Sequence, residues 1–357
     1  MTSETLPTAI LGASGYIGQH FARLLADHPF FGPPLLIGSE RSVGRRLEEV
    51  WQLAEPPPEG LASARLVAGG PGKLARSGLR VAFSALPSGT AGPLETDLVR
   101  RGVSVFSNAA DHRMDPRVPL LVPEVNGDHL DLLAPATRRR GILVTNPNCS
   151  TTGLVLALAP LIDLVKPRAV HVATYQALSG AGYPGVPSLT ITDNVVPFIR
   201  EEEEKIAHES ARILGSLWGR RVTGLPVPFV AHCARVATRE GHLEAVTVEA
   251  GRRPRRSEIE RAWRTFDPLR GLDLPTAPHP PIELRAEADR PQPLRDRWAG
   301  SPSRARGMAA TVGRVRWEPP FLRFFVLSHN AVRGGSGGSV LNAELARARG
   351  CLGAGGA

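Results

Sequence analysis

Residues 7–11 form a short apolar run, followed at once by Gly12-Ala13-Ser14-Gly15-Tyr16-Ile17-Gly18-Gln19 and then by Phe21, Leu24 and Leu25 at helical spacing. This order predicts a strand, a glycine turn and a helix. Such a turn lets the backbone approach a pyrophosphate, whose charge rests on the unpaired N–H groups at the start of the helix. The spacing is G-x-x-G-x-x-G and not G-x-G-x-x-G, so the turn alone also fits a plain packing role. Further strand candidates at 34–37, 79–84, 103–107 and 142–145 alternate with helical or turn-rich segments. That alternation predicts an α/β fold with a Rossmann-like, doubly wound parallel sheet.

Ligands of such sheets bind beyond the carboxyl ends of the strands. The first loops to consider are therefore Ser84-Ala85-Leu86-Pro87-Ser88 and Ser107-Asn108-Ala109-Ala110. The segment Gly38-Ser39-Glu40-Arg41-Ser42-Val43-Gly44-Arg45 lies where such a fold meets the adenosine ribose. Glu40 suits a ribose 2′-hydroxyl, whereas Ser39, Arg41 and Ser42 suit a 2′-phosphate, and the balance favours NADP over NAD. A polar turn that only caps the next helix is the plainer alternative.

With 357 residues, 42% of them hydrophobic and 22% charged, the chain is long enough for two domains with a large core. No apolar run approaches the roughly 18 residues of a membrane span. The opening Met1-Thr2-Ser3-Glu4-Thr5-Leu6-Pro7 lacks the basic and apolar regions of a secretory signal, so a cytoplasmic location without a membrane partner is expected. Cys149, Cys233 and Cys351 are too few and too scattered for a disulfide framework or a zinc site, and no metal is expected. The net charge of +9 raises the question of nucleic acid, with Arg138-Arg139-Arg140 and Arg252-Arg253-Pro254-Arg255-Arg256 as candidate phosphate contacts. All but three of the 43 basic residues are arginine, the exceptions being Lys73, Lys166 and Lys205. This looks like a compositional bias towards Arg, Ala, Gly and Pro, and no nucleic-acid module accompanies it.

One cysteine has a chemical setting. Thr145-Asn146-Pro147-Asn148-Cys149-Ser150-Thr151-Thr152-Gly153 places Cys149 where a turn hands over to an apolar helix marked by Leu154, Leu158 and Leu161. Ser150, Thr151 or Thr152 is expected to cap that helix. A thiolate at a helix N-terminus is stabilised by the partial positive charge there, so a lowered pKa is expected, against the alternative of an ordinary buried cysteine. Beyond Cys149 the pattern changes. Alternating runs at 169–175 and 245–249 predict a second, α+β domain, and the Arg- and Pro-rich residues 291–306 read as a surface loop. Ser328-His329-Asn330-Ala331-Val332-Arg333-Gly334-Gly335-Ser336-Gly337-Gly338-Ser339 opens a second glycine-rich helix, with Val340, Leu341 and Leu345 behind it.

These segments occur in order with Thr174-Tyr175-Gln176-Ala177-Leu178-Ser179-Gly180-Ala181-Gly182, Glu201-Glu202-Glu203-Glu204-Lys205, Cys233-Ala234-Arg235-Val236, Gly241-His242, Asp289-Arg290-Pro291-Gln292-Pro293 and Gly313-Arg314. Together they resemble aspartate-semialdehyde dehydrogenase, in particular its archaeal and fungal-type branch, over nearly the whole chain. The resemblance implies an NADP-binding domain at 1–148 plus 331–357, a catalytic and dimerisation domain at 149–330, and a homodimer or homotetramer. It also implies a place in the biosynthesis of lysine, threonine and methionine. The implied reaction is reversible: L-4-aspartyl phosphate and NADPH give L-aspartate 4-semialdehyde, phosphate and NADP.

The resemblance implies that Cys149 attacks the acyl group, that His242 is acid and base, and that Gln176 orients the reacting centre. It further implies that Arg235 clamps the substrate carboxylate, that Glu202 and Lys205 meet its amino group and phosphate, and that Arg113 and Asn148 lie on the phosphate side. At a spacing of three, Glu202 and Lys205 would share a helix face, although four consecutive glutamates also suit a solvated face in another register. The implied cofactor contacts are Gly12, Ser14, Gly15, Tyr16, Ile17, Ser39, Arg41, Ser42, Ser84, Leu86, Pro87, Asn108, Ser179, Gly180, Asn330, Gly334 and Gly335. Val236-Ala237 departs from the Val-Pro pair expected of the family, so the path to His242 is expected to differ locally. Alternatives are a related acyl reductase, such as a malonyl-CoA reductase or an N-acetyl-glutamyl-phosphate reductase, or a non-catalytic NADP- or nucleic-acid-binding module.

Overall fold

The computed structural model describes residues 5–134 and 141–352. Arg138-Arg139-Arg140 and both ends of the proposed nucleotide domain lie outside them. Strands β1 (Thr8–Leu11), β2 (Leu35–Ile37), β3 (Val81–Ser84), β4 (Ser104–Ser107) and β5 (Leu143–Thr145) form a parallel sheet ordered β2-β1-β3-β4-β5. β1, β3 and β4 are buried along their whole length because the sheet is covered on both faces, as parallel strands require.

Successive side chains point to opposite faces. Ile10, Phe83 and Phe106 therefore pack with Phe21 of the helix Tyr16–Leu25 and with Val340, Leu341 and Leu345 of the helix Gly337–Ala348. On the other face Ala9, Leu11, Ala82 and Val105 meet Leu74 of the helix Pro71–Arg76 and Leu98 of the helix Ala91–Arg100. The helix Gly337–Ala348 thus returns to the first core. Strand order reverses between β1 and β3, where ligand crevices form in open α/β sheets. There Gly12 takes φ +80, a left-handed conformation, and a Cβ on it would lie 3.0 Å from the Ala85 carbonyl oxygen.

After the hairpin β7 (Ser216–Trp218) and β8 (Arg221–Thr223), a second, mixed sheet is completed from β6 (Pro167–Gln176), β9 (Phe229–Arg235), β10 (His242–Ala250), β11 (Ile282–Leu284), β12 (Ala310–Glu318) and β13 (Phe321–Ser328). Its order is β11-β12-β13-β10-β6-β9. Val170, Val172, Val246, Val248, Phe324 and Val326 form one apolar face beneath Leu154, Leu158, Ile206, Ile259 and Trp263. Each such side chain stabilises the fold by about 1.5–3 kcal/mol when fully buried. The Trp263 indole also donates to the Ala157 carbonyl at 2.8 Å, so its polar edge is satisfied in the core. The opposite face leaves Tyr175, Val230 and Phe321 exposed.

Residues 291–306 are not the plain surface loop expected. Asp296 is buried beneath Arg290, and the Trp298 ring lies 4.3 Å from that of His329. Arg304 reaches Asp27 on the first domain at 3.1 Å. Pro and Arg density concealed two anchors, a buried acid and an aromatic ring.

Candidate active site

Asn148 caps the helix Cys149–Leu158. Its Oδ1 accepts from the backbone N–H groups of Ser150 at 2.9 Å and Thr151 at 3.3 Å. The cap is therefore not Ser150, Thr151 or Thr152, because the residue before the first turn is the one whose side chain can fold back onto free N–H groups. This capping fixes Cys149 as the first helical residue.

The second sheet brings the other groups to the sulfur. Gln176 ends β6 beside Arg235 at the end of β9, and His242 opens β10 opposite Ser328 at the end of β13. The β6–β10 register pairs Tyr175 with Leu243, so Gln176, Arg235 and His242 reach the same edge of the sheet. His242 Nε2 stands 3.2 Å from Cys149 Sγ. The Ala177 backbone N–H donates to Nδ1 at 3.0 Å, which leaves the proton of the neutral ring on Nε2, facing the sulfur. Arg235 donates to the Ala177 carbonyl at 2.8 Å, so one residue positions both side chains.

Of the run Glu201 to Glu204, it is Glu202, at the start of the helix Glu202–Ile213, that is buried in the cleft. Glu202 Oε1 accepts from Asn148 Nδ2 at 2.9 Å and from Gln176 Nε2 at 3.0 Å. Glu203 takes the Cys233 N–H, and Glu201 takes Lys205 at 3.1 Å. Lys205 is thus turned to Glu201 at the rim, not placed beside Glu202 as the spacing suggested. Glu209, which the sequence reading missed, accepts from the Asn148 backbone N–H at 2.6 Å and from Arg113 Nη1 at 3.0 Å. The signal was available: 202, 206, 209 and 213 recur at helical spacing, and all four side chains are buried. Arg113 also donates to the Asn108 carbonyl at 2.7 Å, which ties the phosphate-side candidates Arg113 and Asn148 into one network.

Burial first, and then the Glu202 charge, push the Cys149 thiol up to about 12, while Arg235 and Arg113 pull the other way. The lowered pKa expected from the helix N-terminus is not found, because desolvation and a nearby carboxylate outweigh it. Burial and the Arg235 charge hold His242 down at about 3. The resting pair is therefore a thiol beside a neutral imidazole. A further buried acid, Glu244, lies two residues along β10 from His242, with no hydrogen-bond partner on either oxygen among the described residues. Burial raises its pKa well above the ordinary value, and Glu202 adds to the rise.

The glycine segments frame this cleft. A Cβ on Gly180 would lie 2.5 Å from Arg235 Nη1, and one on Gly334 would lie 2.7 Å from Cys149 Cβ. Gly335 packs on Ile17, and Asn330 donates to Ser179 Oγ at 2.9 Å while accepting the Gly241 N–H at 2.8 Å. Gly15 begins the helix Tyr16–Leu25, and Ser14 is held from behind by Gln19 at 3.0 Å. Leu86 is half-buried in the adjoining loop, beside Gly12, and Pro87 after it is exposed. Ser84 is buried beneath Asn108, whose Nδ2 donates to its carbonyl. Ser39 and Arg41 are exposed after β2, but Ser42 is buried and donates back to the Ser39 carbonyl at 3.1 Å. A reversal-point crevice, a left-handed glycine turn and a ten-residue helix pointing its N-terminus outward fit a dinucleotide.

A family model described as "Semialdehyde dehydrogenase, NAD binding domain" matches residues 7–133, and one described as "Semialdehyde dehydrogenase, dimerisation domain" matches residues 158–333. The chain belongs to the semialdehyde dehydrogenase family. Within this semialdehyde dehydrogenase family, the chain is 46% identical to an aspartate-semialdehyde dehydrogenase of Archaeoglobus fulgidus, over 94% of this chain and 96% of that protein. It is 37% identical to a malonyl CoA reductase (NADP) of Metallosphaera sedula, over 96% of this chain and 97% of the relative. A crystal structure of aspartate semialdehyde dehydrogenase with NADP from Candida albicans superposes with a TM-score of 0.86 at 32% identity, covering 98% of this chain and 100% of the other. No helix among the described residues is long and apolar enough to cross a membrane.

Proposed function

We propose that this chain is an NADP-dependent aspartate-semialdehyde dehydrogenase, converting L-4-aspartyl phosphate reversibly to L-aspartate 4-semialdehyde through a thioester on Cys149. The observation that carries this reading is the pairing of a buried carboxylate, Glu202, with a buried guanidinium, Arg235, around a cysteine with histidine in hydrogen-bond reach. An α-amino acid offers an ammonium to the first and a carboxylate to the second. A malonyl group has no ammonium to balance Glu202. The reading is supported by the Archaeoglobus relative and the Candida structure with NADP.

Attack requires the thiolate. Glu202 opposes that form, so a substrate ammonium seated on Glu202 removes part of the opposition and activates the nucleophile. After the thiol proton has left to solvent, the sulfur bonds to the acyl carbon, the carbon–oxygen bond to phosphate breaks, and phosphate departs with the electron pair. When bound at the glycine turn, NADPH would supply the hydride that reduces the thioester. The carbon–sulfur bond then breaks, and its electrons return to Cys149 as the aldehyde forms. His242 holds its Nε2 proton towards the negative charge, first on sulfur and then on the substrate oxygen, and Gln176 offers an amide donor. This is a neutral donor role, narrower than the acid–base cycle expected from resemblance, because Ala177 occupies Nδ1 and burial keeps the ring uncharged. Lys205, whose ion pair with Glu201 is half-exposed, can turn to phosphate in this reading, with Arg113 as a second cation on the phosphate side.

For NADP, residues 1–148 and 331–357 are read as the binding domain, with Gly12 to Ile17 on the pyrophosphate and Ser39 and Arg41 on the 2′-phosphate. Ser42 supports that loop from within. Ser84, Leu86, Pro87, Asn108, Ser179, Gly180, Asn330, Gly334 and Gly335 line the remaining path. Residues 149–330 are read as the catalytic and dimerisation domain, whose exposed Tyr175, Val230 and Phe321 suit a homodimer or homotetramer. A cytoplasmic location accords with this chemistry. The test is NADPH formation from L-aspartate 4-semialdehyde, NADP and phosphate, run beside malonate semialdehyde, NADP and CoA. Turnover in the first mixture that needs phosphate supports the proposal, and turnover only in the second makes the protein a malonyl-CoA reductase.

A further inference from the structure

Glu240 stands two residues before His242, yet its carboxylate turns away from the substrate cleft into the junction with the first domain. It is buried and accepts a hydrogen bond from the Tyr16 hydroxyl, 224 positions away in sequence. Arg297 Nε at 3.6 Å, His329 Nε2 at 3.6 Å and His20 Nε2 at 3.8 Å complete its surroundings. Tyr16 is the first residue of the helix Tyr16–Leu25, so its backbone belongs to the glycine turn while its side chain reaches the catalytic strand. The next residue, Gly241, is fixed by Asn330 at 2.8 Å, and the neighbouring Arg239 carbonyl accepts the Ser179 N–H at 3.2 Å. The segment that aims His242 is thereby held by the same elements that frame the dinucleotide crevice.

We propose that Glu240 is a positioning residue and that the Tyr16–Glu240 hydrogen bond couples occupancy of the dinucleotide turn to the placement of His242 against Cys149. The inference rests on the reading of that turn as the NADP site. A dinucleotide on the helix N-terminus fixes Tyr16, Tyr16 fixes Glu240, and Glu240 fixes the start of β10. Coupling of this kind is reciprocal: a group attached to Cys149 alters NADP affinity by the factor with which NADP alters the reactivity of Cys149.

The experiment measures the rate of Cys149 alkylation by iodoacetamide with and without saturating NADP, alongside calorimetric titration of NADP. Steric shielding by NADP is shared by all variants, so the change between variants reports the coupling. The ratio of the two rates in wild type is expected to differ from that in Tyr16→Phe and in Glu240→Ala by about fivefold or more. Glu240→Gln, which keeps an acceptor for the tyrosine hydroxyl, is expected to restore the wild-type ratio, which a merely structural role would not do. Ratios equal within about twofold in all four proteins, with NADP bound by each, overturn the coupling alone. Failure of the wild type to bind NADP overturns both the coupling and the cofactor reading.

Discussion

Gly334 lies against Cys149 so closely that a methyl group on its Cα would stand 2.7 Å from both Cα and Cβ of the cysteine. The preceding Arg333 is locked to Glu124 by two hydrogen bonds of 2.7 Å, which prevents the segment from moving aside cheaply. Gly334→Ala is therefore expected to displace the sulfur from His242 and lower kcat by at least about tenfold, with a stability loss of about 1–3 kcal/mol. Steady-state kinetics and urea unfolding check both parts. Wild-type kcat in the variant would refute the closeness.

A donor at Nε2 is the function assigned to His242, so the two obvious replacements are expected to differ. Glutamine retains an N–H donor and alanine does not. We expect His242→Gln to be slower than wild type by about 10–100-fold and His242→Ala to be slower still, near the 10²–10³-fold loss typical of removing an oxyanion donor. Equal loss in both, with a kcat limb in wild type near the ordinary imidazole pKa of about 6.5, would favour a charged acid instead.

The Glu202 charge raises the Cys149 thiol. Glu202→Gln is expected to lower the thiol pKa and so speed alkylation at pH 8, while impairing the reaction of the amino-acid substrate. Measuring the pH dependence of iodoacetamide reaction decides the first part. A curve unmoved or shifted upward would contradict the electrostatic assignment.

Burial, as the larger cause, holds His20 and His242 at about 3 in the folded protein, and His329 well below its usual value. Unfolded histidine titrates near about 6.5, so between about 6.5 and about 3 the unfolded chain binds more protons. Stability is accordingly expected to be full above about pH 6.5 and to fall as pH drops, by up to about 1.4 kcal/mol per pH unit for each group. Urea unfolding between pH 8 and pH 4 should show a shallower decline in His20→Gln. An identical decline would place the titrating groups elsewhere.

The glycine turn, the five parallel strands and the NPNC segment were legible because each is local: a handful of consecutive residues sets strand, turn and helix start. Gln176, Arg235 and His242 were legible only through resemblance, since their convergence depends on the register of β6, β9 and β10. The spacing of Glu202 and Lys205 pointed to one face but could not show that Glu201 would capture the lysine. The thiol pKa was misjudged because a helix N-terminus is visible in sequence, whereas burial and the approach of Glu202 are tertiary. Glu209, Glu244 and Glu240 take their settings from burial and tertiary contacts. Only the folded chain brings Glu209 to Arg113 and Glu240 to Tyr16.

The most direct test of the central claim is intact-protein mass spectrometry after mixing the enzyme with L-aspartate 4-semialdehyde and NADP in the absence of phosphate. The account predicts one aspartyl acyl group per chain, mapped to the peptide containing Cys149, released when phosphate is added and absent in Cys149→Ala. Phosphate-dependent NADPH formation that leaves Cys149 unmodified, or that persists in Cys149→Ala, would contradict it.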